Sequence, residues 1–74
     1  MSSEIDIRLR QNGSPFTVEA SRDALVLMAA CVNEALEAVN DWEFSIRLGF
    51  SSKEARSLRE QLYAILEQLP DQTL

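Results

Sequence analysis

The sequence predicts a single small α+β domain of order β-β-α-β-α, a three-stranded antiparallel sheet with two helices on one face. Three observations carry this. Oily residues alternate at both ends of an Asn-Gly turn near the start, and alternate again over 42–50. Between and after those stretches they recur every three and four residues, the repeat of a helix that buries one face. Seventy-four residues and two glycines leave room for one core and no interdomain linker, so the domain spans 1–74.

In the first element, Ile5, Ile7 and Leu9 alternate with Asp6, Arg8 and Arg10, a half-buried strand by its period of two. Asn12-Gly13 is a strong hairpin turn signal, Ser14-Pro15 extends the loop, and Phe16-Thr17-Val18-Glu19 alternates again. A hairpin over about residues 4–19 follows. Ser21 is placed to cap a helix with Asp23 in its first turn. Leu25, Met28, Ala29, Val32, Leu36 and Val39 form its apolar stripe, and Leu27, Cys31, Ala35 and Ala38 widen that stripe to a second side. So wide a face implies contact with the second helix or with another subunit. Asn40-Asp41 ends the helix.

Trp42, Phe44, Ile46, Leu48 and Phe50 then alternate with Glu43, Ser45, Arg47 and Gly49, which reads as the third strand, antiparallel to the first. Its polar side joins Asp6, Arg8 and Arg10 on the open face of the sheet. Ser51 and Glu54 have the spacing of a capping box, and Ala55, Leu58, Leu62, Ile65, Leu66 and Leu69 trace the last helix, which Pro70 stops. Residues 1–3 and 71–74 are expected to fray.

Composition excludes several functions. The chain has no histidine, which removes the commonest general base and transition-metal ligand. Cys31 is its one cysteine, so neither a disulfide framework nor a cysteine zinc cluster can form, and its place in an apolar helix predicts a buried, inert thiol. No phosphate-cradling glycine loop and no calcium-loop spacing is present. No catalytic residue, metal ligand or cofactor is assigned. Twelve acidic against seven basic residues give a net charge of −5, which disfavours nucleic acid and anionic membranes and suits a basic protein partner. The first residues lack the basic and apolar regions of a signal peptide, and the longest apolar run, Ala24 to Val32, is too short to span a bilayer, so a cytoplasmic location is expected.

What remains is a surface. Between Asp23 and Arg47 there is no basic residue, while Glu34, Glu37, Asp41 and Glu43 fall there. Such a strip either steers a cationic partner or forms an ordinary solvated face paired with Arg47 and Arg56. Arg47, Lys53, Arg56 and Arg59 make a basic cluster best explained by ion pairs. Trp42 and Phe44 are candidate interface anchors, with core packing the competing role. The candidate partner-binding residues are therefore Glu34, Glu37, Asp41, Glu43, Trp42 and Arg47. A chain this short also gains from covering apolar surface with a second copy, so a homodimer is expected, through the wide face of the first helix or a strand edge.

Asn33-Glu34 in a helix, then Trp42-Glu43-Phe44-Ser45-Ile46-Arg47-Leu48-Gly49, then a capped helix with Glu54-Ala55, resembles small bacterial immunity proteins of the Imm10 type over about residues 25–66. The resemblance implies a protein that neutralises a cognate toxin by binding it, with Asn33, Glu34, Glu43, Phe44, Arg47 and Gly49 as the matching positions. The other readings are a homodimeric structural or regulatory module, then a small enzyme, then a nucleic-acid binder.

Overall fold

A computed structural model describes residues 4–70. The ends expected to fray, 1–3 and 71–74, lie outside those residues. The order is β-β-α-α-α: β1 (Ile7–Gln11), β2 (Thr17–Ala20), α1 (Arg22–Ala38), α2 (Asp41–Leu48) and α3 (Ser52–Gln68). The expected hairpin and both long helices are present. The third strand is not.

The segment expected as that strand is α2, which corrects the three-stranded sheet with two helices to a two-stranded sheet with three. The physical reason lies in a degeneracy of the alternating pattern. On a strand, Trp42, Phe44, Ile46 and Leu48 share one face. On a helix, Phe44 and Leu48 are one turn apart on one side, while Trp42 and Ile46 are one turn apart on the other. The ends decide between the two. Asn40 stands at the N-cap in extended conformation, Asp41 and Glu43 lie in the first turn, Arg47 lies in the last, and Gly49 closes the helix at φ 83. Acid first, base last and a left-handed glycine after is the charge and capping order that a helix dipole favours.

The capping expectations hold. The Ser21 hydroxyl accepts from the Ala24 amide at 3.2 Å. At α3, the Ser51 hydroxyl accepts from the Glu54 amide at 3.1 Å while the Glu54 carboxylate accepts from the Ser51 amide at 2.8 Å, a complete capping box.

α1 and α3 pack antiparallel: Val32 and Ala35 of α1 lie with Ala55 and Leu58 of α3. Ala24 and Ala29 of α1 and Leu62 of α3 are buried, the small residues letting two packed helices approach closely, and Phe44 of α2 is buried to 2% exposure. Those four are the whole fully buried set among the described residues. The rest of the predicted α1 stripe, Leu25, Met28, Val32, Leu36 and Val39, is half-buried. A polar clamp joins the helices where Arg59 donates to the Asn33 side-chain oxygen at 2.8 Å.

The hairpin stands apart from this bundle. Its register pairs Leu9 with Val18, Ile7 with Ala20 and Arg8 with Glu19, and shifts between Leu9 and Gln11. Ile7, Leu9 and Val18 thus share a face, and all are exposed. Ser21 stitches it to α1: the Ser21 amide donates to the Asp6 carbonyl at 2.9 Å, the Asp6 amide donates to the Ser21 hydroxyl at 3.1 Å, and that hydroxyl donates to the Glu4 carbonyl at 2.6 Å.

Candidate functional site: an apolar cleft with an acidic border

The helix over 41–48 changes what the expected site residues do. Trp42, read as core or anchor, is 72% exposed on the outer face of α2, with Ile46 at 77% beside it. Phe44 points inward at 2% exposure and lies off the outer face that carries Trp42. The two sides of the alternating pattern have separate tasks.

The acidic residues divide in the same way. Glu34 and Glu37 are exposed on α1, where the Glu37 carboxylate accepts from the Asn33 side-chain Nδ2 at 3.3 Å. Asp41 and Glu43 sit at the start of α2, so they favour its dipole and do not oppose one. Asp41 also accepts from Arg56 at 3.5 Å, one of the pairings expected for the basic cluster. Both partners are largely exposed there, so the pair contributes little to stability. Arg47 is exposed in the last turn of α2, among the described residues without a carboxylate in salt-bridge range, and Arg59 is committed to Asn33.

Where the C-terminal half of α1, the end of α2 and the first turns of α3 meet, an open cleft of about 430 Å³ is left. Cys31, Val32 and Ala35 form one wall, Phe44 and Leu48 the floor and second wall, and Phe50, Ala55 and Leu58 the third. Its one acidic lining residue, Glu54, is held by the capping box. The surface is therefore almost wholly apolar, and Phe50 stands at its mouth 66% exposed. An uncovered apolar concavity with an aromatic at the rim is the shape that takes up a protein side chain or helix face. Glu34, one turn from Cys31 on α1, places an acid at its border.

Cys31 is exposed at this cleft, which corrects the expectation of a buried thiol. The cause is the second apolar side of α1. Leu27, Cys31 and Ala38 stay exposed, whereas the first stripe is buried or half-buried. The alternating pattern hides the cleft, because on a strand Leu48 and Phe50 share a sheet face with Trp42. The signal that locates it is the pair Phe44/Leu48 at helical spacing, followed by Gly49 and Phe50.

Among the described residues, no three His, Cys, Asp or Glu side chains approach closely enough to share a metal ion. No helix of the described residues is long and apolar enough to cross a membrane. Comparison with known proteins gives no family model, no curated protein and no solved structure that matches this chain.

Proposed function

We propose that this chain acts by binding another protein through the α1–α2–α3 cleft, and that its partner is a cognate bacterial toxin which it occludes. The observation that carries this reading is the cleft itself, an apolar concavity with Phe50 exposed at its mouth and Glu34 at its border. Apolar walls supply affinity through desolvation, while a net charge of −5 steers a basic partner toward the mouth. The resemblance of residues 25–66 to immunity proteins supplies the class of partner. Binding needs neither a general base nor a cofactor, in keeping with a chain that has no histidine. The complex forms in the cytoplasm, away from the membrane.

Co-expression with the toxin encoded beside its gene tests this. Wild type restores growth, and Phe50→Asp, which charges the cleft mouth without touching the interior, loses protection while keeping its helical circular dichroism. Full protection by Phe50→Asp refutes the cleft as the recognition surface. A chain that neither protects against nor binds any neighbouring gene product is instead a homodimeric structural module, a reading favoured by the uncovered hairpin.

A further inference from the structure

The apolar surface does not end at the mouth of the cleft. Leu27 lies one turn from Cys31 on α1, and Ile65 lies two turns from Leu58 on α3, so each shares the face of a residue that lines the cleft. Leu27, Leu58 and Ile65 are each close to half exposed. An apolar groove between two packed helices therefore runs on from the cleft for about two turns, away from Phe50. A groove with helical walls takes a third helix, whose side chains at spacings of three, four and seven reach its floor.

One bank of this groove is negatively charged. The last turn of α1 contains no base. Glu37 lies in that turn and Glu34 immediately before it, and both are exposed. Carboxylates there add to the negative end of the helix dipole, a cost that a cation from outside would offset. Within the fold nothing offsets it: Glu37 meets the neutral Asn33 side chain, and neither carboxylate has a cation in salt-bridge range among the described residues. Most cations of the chain are engaged elsewhere. Arg8 pairs with Asp6, Arg10 with Glu19 and Arg56 with Asp41, and Arg59 donates to Asn33. Arg47 stands in the last turn of α2, where it offsets that helix's own dipole.

We infer, resting on the cleft as the recognition surface, that its occupant is a cationic amphipathic helix of the partner. An apolar side chain of that helix fills the cleft, and Lys or Arg one turn away lies against Glu34 and Glu37. The helical walls set the shape of the occupant, and the unrelieved acidic end of α1 sets its sign. A second copy of this chain fits poorly, since each copy carries −5 and most of its cations are engaged. An acidic helix would set carboxylate against carboxylate.

The probes are synthetic helices of about 18 residues with one Leu face and with Lys, Gln or Glu at the polar positions, each titrated into the full chain and followed by amide NMR. The Lys peptide is expected to shift Cys31, Ala35, Phe50 and Leu58, and to bind at least about tenfold more tightly than the Gln peptide at low salt, with the Glu peptide weakest. Glu34→Lys/Glu37→Lys is expected to erase the preference for Lys over Gln. Glu60→Lys/Glu67→Lys makes the same change of net charge across α3 from Leu58, at exposed positions, and is expected to keep that preference. Equal dissociation constants for the Lys and Gln peptides, an equal response of the two double variants, or shifts confined to the hairpin or to Trp42 and Ile46 overturn the inference. A neighbouring gene product that binds through Phe50 with one affinity for wild type and Glu34→Lys/Glu37→Lys also overturns it, and leaves the proposed function standing. Failure of every neighbouring gene product to bind, beside a Lys peptide seated in the cleft, removes the toxin and supports the helix.

Discussion

Replacing Phe44 and Trp42 separately by alanine distinguishes the helix at 41–48 from the strand that its alternation suggests. As a helix, α2 buries Phe44 to 2% and leaves Trp42 72% exposed. Phe44→Ala removes a fully buried ring and leaves a cavity, a loss of about 3–5 kcal/mol. Trp42→Ala removes a mostly hydrated ring, and a change within about 0.5 kcal/mol is expected. A chain of this length has roughly 4–11 kcal/mol of total stability, and the small buried set places it toward the lower value. Phe44→Ala thus costs most of what is available. In urea, with a slope of about 1 kcal/mol per molar, its midpoint falls by about 3 M or the folded baseline disappears, while Trp42→Ala keeps the wild-type midpoint. Equal losses from the two substitutions refute the helix, because only a strand puts both rings on one buried face.

Gly49→Ala is expected to cost about 1–2 kcal/mol in thermal unfolding. At φ 83 a side chain is strained, yet an added Cβ meets nothing within 4 Å, so the penalty is conformational and not steric. Ser21→Ala removes the α1 cap and two hairpin bonds in one step; a loss of about 2 kcal/mol is expected, with the fastest amide exchange at Asp6 and Ala24, and a neutral result contradicts the role of Ser21 as the stitch. The double reversal Glu34→Lys/Glu37→Lys lies on exposed positions, so the melting point is expected to stay put while association with a basic partner slows and loses its salt dependence. An unchanged association rate removes the acidic border from the recognition surface.

Much of the fold is legible from residues. Ser21 and Ser51 mark two helix starts because a hydroxyl before an apolar repeat has one efficient use, satisfying a free amide. Asn12-Gly13 marks the hairpin for a similar local reason. The failure at 42–50 is also local in origin. Five oily residues at even positions satisfy a strand wholly and a helix in two halves, and the period alone does not choose. The choice lay in Asp41, Glu43, Arg47 and Gly49, whose order follows a helix dipole from N- to C-terminus. The same misreading hid the cleft, because it placed Trp42, Phe44 and Leu48 on one face. It also made the hairpin look covered, since a third strand would have given it a neighbour.

Calorimetric titration of the purified chain with the product of the gene beside its own tests the proposed recognition most directly, with wild type and Phe50→Asp run in parallel. Heat of a one-to-one association for wild type, weakened at least tenfold for Phe50→Asp, is the predicted pair of results. Identical dissociation constants for the two proteins contradict it.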